Sequence, residues 1–238
     1  MRKIVSVSWG KDSTAMLIWL IENDYPIDEI IFYDTGMEFD AIYKTRDYVL
    51  KNWCNGIKYT ELKPKEPFIY KMIIYPHKTR KGFMKYGYGW CGGMCRWGTT
   101  EKTKTIDTYL KNNYGDDYVT YVGIAYDEPQ RLKHNTYKRY PLYYVARMTE
   151  EECLEFCYNR NITFGGLYKY LKRVSCWCCR NKNLKELKNY KKYLPEYYKR
   201  LKTLEYLIGE PMKPPYTLYE RFEKDGEEDA KKTNESTL

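Results

Sequence analysis

The stretch that decides the fold is Val7-Ser8-Trp9-Gly10-Lys11-Asp12-Ser13-Thr14, "VSWGKDST". An apolar, β-branched run, Ile4-Val5-Ser6-Val7, precedes it, and Ala15-Met16-Leu17-Ile18-Trp19-Leu20-Ile21 follows. That order predicts a strand, a tight turn and a helix. A turn after a parallel strand offers free backbone N–H groups and the positive end of a helix dipole, which together suit a phosphate. Gly10 lets the backbone approach closely, Lys11 adds a point charge, Ser8 and Ser13 donate hydrogen bonds, and Asp12 can engage Mg2+ riding on phosphates. The spacing is not that of a Walker loop. Taken alone, these residues are equally an ordinary polar turn with a serine cap.

Working outward, Asp28 to Tyr33 reads as a second strand ending at Asp34-Thr35-Gly36. Phe39 to Trp53 carries apolar residues at helical spacing, and Ile57 to Leu62 reads as a third strand. Strands alternating with helices predict an α/β fold, a parallel twisted sheet with helices on both faces. Ligands bind such sheets beyond the C-terminal strand ends, where Ser8–Ser13 and Asp34–Gly36 both fall. Residues 63–98 lack periodicity and read as a long loop. Glu101–Leu110 reads as a helix and Asp117–Ala125 as a strand. Thr149-Glu150-Glu151-Glu152 has the capping-box pattern and starts a helix through Tyr158. Leu184–Tyr193 and Pro195–Ile208 read as two more helices, with Pro195 in a first turn. The expected organisation is a nucleotide-binding domain over 1–145, a small helical, Cys-rich part over 146–222, and a charged, disordered tail over 223–238.

The 238 residues can bury a full core without staples. No apolar window is long enough for a membrane span, and Met1 runs straight into a strand, so the expectation is a soluble, cytoplasmic protein with no membrane partner. The net charge of +9 hints at an anionic partner, but lysines are plentiful and scattered, and a solvated face is the plainer reading. His77 and His134 lie in polar loops and read as solvated.

Eight cysteines in such a chain should be thiols or metal ligands rather than disulfides. Cys91-x-x-x-Cys95 and Cys176-x-x-Cys179 are chelating spacings, suited to Zn2+ or to an iron–sulfur cluster. Cys178 is a fifth thiol, a ligand in place of Cys179 or a non-ligand. Cys153 and Cys157, four apart on a helix, read as core, as does Cys54.

Ser8-Trp9-Gly10-Lys11-Asp12-Ser13 resembles the Ser-Gly-Gly-Lys-Asp-Ser signature of the PP-loop superfamily, the adenine nucleotide alpha-hydrolases. Within it the chain is similar to the phosphoadenosine-phosphosulfate reductase family. Asp34-Thr35-Gly36-Met37-Glu38, Arg96-Trp97-Gly98-Thr99, and Gly123-Ile124 with Asp127-Glu128 and Arg131 resemble that family's segments in order. So do Tyr140-Pro141-Leu142 and the closing Cys176 to Cys179. Two departures stand out. Trp9 replaces a glycine, so its side chain must point away from the nucleotide, and Gly98 stands where many relatives carry cysteine.

The resemblance implies a Rossmann-like PP-loop fold. It implies an adenine nucleotide held by Ser8, Trp9, Gly10, Lys11, Asp12 and Ser13, by Asp34, Thr35 and Gly36, and by Arg96, Gly123, Ile124 and Arg131. Lys11 and Asp12 take the catalytic part, both on an exposed turn, and Asp34 faces Mg2+ or ribose. Cys91, Cys95, Cys176 and Cys179 hold a metal, with a 4Fe-4S cluster favoured over Zn2+. The implied activity is that of an ATP pyrophosphatase, adenylating an acceptor for sulfur transfer. A nucleic-acid acceptor and a sulfur-donor protein are the partners this implies. Rival readings are a sulfonucleotide reductase and a non-catalytic nucleotide-binding module. Reductases of the family use a cysteine on a C-terminal segment, and no cysteine follows Cys179 here, so the expectation is ATP rather than an adenylyl-sulfate.

Overall fold

A computed structural model describes residues 1–223. In chain order the elements are β1 (Arg2–Val7), α1 (Lys11–Glu22), β2 (Glu29–Tyr33), α2 (Asp40–Trp53), β3 (Lys58–Leu62), α3 (Phe68–Ile73), β4 (Pro76–Lys78) and β5 (Met84–Tyr86). They continue with α4 (Lys102–Tyr114), β6 (Tyr118–Val122), β7 (Lys138–Arg139), α5 (Glu150–Tyr158), α6 (Leu184–Tyr193), α7 (Pro195–Ile208) and α8 (Leu218–Phe222). The chain forms two compact units. The first is Met1–Lys65, Trp97–Lys169 and Arg173–Cys176; the second is Glu66–Arg96, Tyr170–Lys172 and the chain from Trp177.

The first unit is built on a five-stranded sheet in the order β3-β2-β1-β6-β7, with every pairing parallel. Parallel strands are buried on both faces, which is why Glu29–Tyr33 is buried at every position. Ile4, Ile31 and Tyr33 pack on one face against Ile106 and Leu110 of α4. Val5 and Val7 alternate to the other face, and α1 packs with α5. Burying each such aliphatic side chain contributes about 1.5–3 kcal/mol. Chain order runs outward from β1 in one direction through β2 and β3, and in the other through β6 and β7. The gap between the C-terminal ends of β1 and β6 is therefore a topological switch point, the usual crevice of such sheets.

The expected strands and helices of the first unit are all present, with two additions, the edge strand β7 and the turn before α4. Arg96–Glu101 is a π-helical turn leading directly into α4. The N-terminus of α5 carries the capping box read from Thr149 and Glu152.

The second unit departs from expectation. Residues 63–98 are not a bare loop: they hold α3 and an antiparallel hairpin of β4 and β5. The hairpin was invisible to periodicity because each strand has three residues. This segment groups with the C-terminal helices, while α5 groups with the sheet, so the units do not divide at residue 145. Helix α6 begins at a capping box of Asn183 and Glu186, and Pro195 occupies the first turn of α7 as expected. Buried Glu205 closes this unit by accepting from the N–H groups of Met212 (2.7 Å) and Leu218 (2.8 Å). The tail expected to be disordered begins inside the described chain: Glu223 caps α8 and pairs with Lys202 at 2.9 Å. Residues 224–238 lie outside the described residues. Among the described residues, no helix is long and apolar enough to cross a membrane.

Candidate nucleotide site and cysteine cluster

The loop after β1 turns at Trp9, whose φ is +60°. That left-handed conformation favours glycine, so tryptophan is held there by its packing. Its ring is fully buried, with centroids 6.3 Å from Phe32 and 6.2 Å from Tyr59. Only its backbone is left to face a ligand. Gly10 is the N-cap of α1 and, as glycine, caps the helix with no side chain of its own. The serine-cap alternative therefore fails: the Ser8 and Ser13 hydroxyls bond each other at 3.0 Å, and the Ser13 hydroxyl accepts from the Ser8 N–H and donates to the Gly10 carbonyl. The Lys11 N–H donates to the Tyr168 hydroxyl at 2.8 Å. On the neighbouring strand, a Cβ at Gly123 would lie 2.9 Å from the Ser13 Cα and 3.0 Å from the Asp12 carbonyl. Gly123 is what lets the end of β6 press against the loop, and Ile124 beside it is buried.

Lys11 is not on an exposed turn. It is 6% exposed, on the first position of α1, and its Nζ lies 2.6 Å from Asp12 and 3.0 Å from Glu150. The reason is α5, which packs on α1 and carries Glu150 at its own N-terminus, where Asp127 accepts from the Glu150 N–H. Burial pulls the Lys11 pKa down, but the two carboxylates outweigh it and hold the ammonium charged. Burial pushes the Asp12 carboxyl up, with Lys11 opposing and Glu150 and Glu128 adding to the rise. The ligand oxygens of Asp12, Glu128 and Glu150 lie within 4.8 Å of one another, a spacing that can hold a cation. Glu128 is also gripped by Arg131 and, at 2.6 Å, by Arg173.

At the end of β2, Asp34 is buried and accepts from the Gly36 N–H (2.8 Å) and the Tyr43 hydroxyl (2.7 Å). Both contacts fall on Oδ1 and shape the turn, which Gly36 closes with a φ of +72°. Thr35 donates to Glu38 at 3.0 Å and lies 3.4 Å from the Cys176 sulfur. Cys176 thus sits with Thr35 and Glu38 at the C-terminal edge of the sheet.

All eight cysteines are unbridged. Cys54, Cys153 and Cys157 are buried, as read from their spacing. Burial pushes the Cys54 and Cys157 thiols up to about 12, and pushes Cys153 up as well. The Cys157 thiol donates to the Lys11 carbonyl at 3.6 Å, so this side of α5 also braces the loop. In the second unit, Cys91, Cys95 and Cys179 are half-buried while Cys178 is buried. The Cys91 sulfur accepts from the Arg96 N–H at 3.3 Å. Gly93 and Asn181 bond reciprocally, N–H to Oδ1 at 3.0 Å and Nδ2–H to carbonyl at 2.8 Å, which ties the Cys91–Cys95 loop to the segment following Cys179. A sulfur that accepts from a backbone N–H, as that of Cys91 does, suits a thiolate metal ligand.

The remaining expected residues scatter. Arg96 is exposed, in the second unit, over the Tyr88 ring. Arg131 is spent on Glu128. His134 is exposed, but His77 stacks on Tyr88 at 4.0 Å rather than being free in solvent. Sequence reasoning missed Glu150, Tyr168 and Asn181. Glu150 was hidden inside a capping box, where acidic residues are expected for the helix dipole alone, and the other two had no signal.

Two solved structures match the chain at low identity. A U34-tRNA thiolase from Methanococcus maripaludis, solved with its [4Fe-4S] cluster, matches 88% of this chain and 73% of its own at 15% identity, with a TM-score of 0.46. An FMN adenylyltransferase of Candida glabrata, in complex with FAD and inorganic pyrophosphate, matches 74% and 55% at 14% identity, with a TM-score of 0.42. In sequence, an uncharacterized protein of Methanocaldococcus jannaschii is 25% identical over 83% of this chain and 40% of its own length. An uncharacterized nin region protein of Escherichia phage lambda is 30% identical over 59% and 53%. The chain thus spans about half the length of the curated relatives it matches. Residues 2–182, which hold the loop after β1, the Asp34 turn, Gly123 and all four expected cysteine ligands, match the phosphoadenosine phosphosulfate reductase domain, and the chain belongs to that family.

Proposed function

We propose that the chain binds ATP–Mg2+ at the loop after β1 and transfers AMP to an acceptor, releasing pyrophosphate. The observation that carries this reading is the N-terminus of α1 at the switch point of the sheet, where Gly10 offers no side-chain cap, Lys11 is the first residue and Gly123 lets β6 lie against the loop. Backbone N–H groups there meet phosphate oxygens, and the helix dipole favours their charge. Lys11 exchanges its carboxylate partners for the polyphosphate. Attack of an acceptor oxygen on the α-phosphorus breaks the bond to the bridging oxygen, and the electron pair leaves with pyrophosphate. Asp12 and Glu150 would hold Mg2+, which when bound would neutralise charge on the leaving group. Asp34 shapes its turn and faces ribose through what remains of its acceptor capacity.

Cys91, Cys95 and Cys179 serve as metal thiolates within the second unit. A 4Fe-4S cluster there would supply electron transfer or a site for sulfur, and Zn2+ would make the part structural. A sulfur-donor protein and a nucleic-acid acceptor complete the reading.

Titration with ATP–Mg2+, followed by pyrophosphate release in the presence of candidate RNA acceptors, tests it. A protein that binds no ATP but yields sulfite from phosphoadenosine phosphosulfate and reduced thioredoxin is a reductase instead. Binding of ATP without turnover on any acceptor leaves a nucleotide-binding module.

A further inference from the structure

From Pro67 to Thr100 the chain contains no aspartate or glutamate, yet holds Lys71, Lys78, Arg80, Lys81, Lys85 and Arg96. In a chain with 32 acidic residues that gap concentrates the +9 charge locally. The β4–β5 hairpin stands in its middle. Pro76 pairs with Tyr86, His77 with Lys85, and Lys78 with Met84, so Pro76, Lys78, Met84 and Tyr86 share one face. The opposite face is occupied: His77 stacks on Tyr88 (4.0 Å, 15°), which stacks in turn on Tyr75 (5.7 Å, 20°). Lys85, on that side, reaches Glu210 at 3.6 Å.

The first face is bare. Tyr86 is 67% exposed and Met84 54%, and Phe83 at the turn is 71% exposed. The turn itself is ordered by the Gly82 N–H on the Thr79 carbonyl (2.9 Å) and the Thr79 N–H on the Phe83 carbonyl (2.8 Å), and it raises Arg80 and Lys81 at its tip. Exposing two aromatic rings beside three cations costs solvation of apolar surface with no return inside the fold. Cations that track phosphates, interleaved with flat rings on which unpaired bases stack, are the composition of a single-strand nucleic-acid platform.

We propose that the β4–β5 hairpin binds single-stranded nucleic acid, with Lys78, Arg80 and Lys81 on the phosphates and Phe83 and Tyr86 stacking on bases. This rests on the function proposed above only in making that strand the acceptor. Binding is measured without ATP, so failure here and failure of the nucleotide site are separate results.

The experiment is fluorescence anisotropy of a short labelled oligouridine with the full chain over a salt series. Lys78→Glu/Arg80→Glu/Lys81→Glu should weaken binding at least about tenfold. It should also flatten the slope of log K against log salt by about 2, since each neutralised phosphate contributes roughly 0.7 on a single strand. Phe83→Ser/Tyr86→Ser should weaken binding about tenfold or more with the slope unchanged. Lys188→Glu/Lys192→Glu, on exposed α6 positions, should leave it within about twofold. The thermal melts of the hairpin variants should match that of the parent, which shows that they fold. The proposal is overturned by a parent protein that does not bind the oligonucleotide, by hairpin variants that bind as well as the parent, or by an α6 variant that loses as much. Binding to phosphatidylserine vesicles without binding to RNA also overturns it and makes the hairpin a membrane contact.

Discussion

Lys11 and Glu150 are 139 positions apart in the chain, yet the ammonium lies 3.0 Å from the carboxylate. The pair joins the first residue of α1 to the first residue of α5, and it places a second acid beside the Lys11–Asp12 contact. The phosphate loop is therefore electrostatically filled by the protein's own side chains, and a nucleotide must compete for Lys11.

Lys11→Ala should lower ATP–Mg2+ affinity by about 1.5–3 kcal/mol, the range for a hydrogen bond to a charged group. It should also lower the melting temperature, because Asp12 and Glu150 lose their shared counter-ion. Isothermal titration and a thermal melt of the same variant check both. An unchanged titration curve would remove Lys11 from the site.

If Asp12 and Glu150 hold the cation, Asp12→Asn and Glu150→Gln should each weaken ATP binding in Mg2+ and leave metal-free ATP binding equal or tighter. The sign follows from charge: without metal, each carboxylate repels phosphate and competes for Lys11. Titrations with and without EDTA separate the two. Equal losses in both buffers would restrict these acids to orienting Lys11.

Gly123→Ala tests the close approach of β6 to the loop. Its Cβ would meet backbone at 2.9–3.0 Å, atoms that cannot swing away as a side-chain tip would. The start of α1 must shift, at about 1–3 kcal/mol of stability, and ATP affinity should fall with it. A variant that melts and binds like the parent would show that the loop is pliable.

Metal content should follow burial and spacing. Cys91→Ser and Cys179→Ser should lose bound metal from anaerobically purified protein, and Cys153→Ser should keep it. Iron, acid-labile sulfide and zinc analysis decides between a brown cluster and a colourless ion. Full metal in Cys91→Ser would exclude that sulfur as a ligand.

Glu29, at the opposite end of β2, gives a pH signature of the fold alone. It is fully buried and accepts from Thr60, from Tyr109 (2.7 Å) and from Tyr114 (2.5 Å), with Lys58 at 3.1 Å. Burial pushes its pKa up, but these donors together bring it below the ordinary 4.5. A lowered carboxylate stabilises the fold above its unfolded pKa, and that contribution disappears as pH falls through the folded value. Glu29→Gln should cost about 1–3 kcal/mol at neutral pH, by leaving buried hydroxyls poorly matched. The gap to the parent should narrow below pH of about 4. Urea midpoints across that range check it, and a gap constant with pH would mean that the loss is one of packing.

Local chemistry made much of this protein legible from the sequence. Strand-length runs of apolar and β-branched residues placed β1, β2, β3 and β6, helical spacing placed α2, Pro195 placed the start of α7, and Thr149 with Glu152 placed the start of α5. These features depend on neighbours within a turn or a pleat, so a single chain segment carries the information. The loop after β1 was readable for the same reason, since its glycine, lysine and hydroxyl residues all lie within one turn of chain.

What tertiary structure alone decided are contacts between distant segments. Parallel strands pair through crossovers, so nothing local says that β6 lies beside β1, and the need for glycine at position 123 follows only from that neighbour. Lys11 looked exposed because α5 was not yet packed over it. Glu150, Tyr168 and Asn181 act on residues 139, 157 and 88 positions away. The sheet order and the packing of helices set those distances through burial summed over the whole unit, a quantity no short stretch of sequence contains.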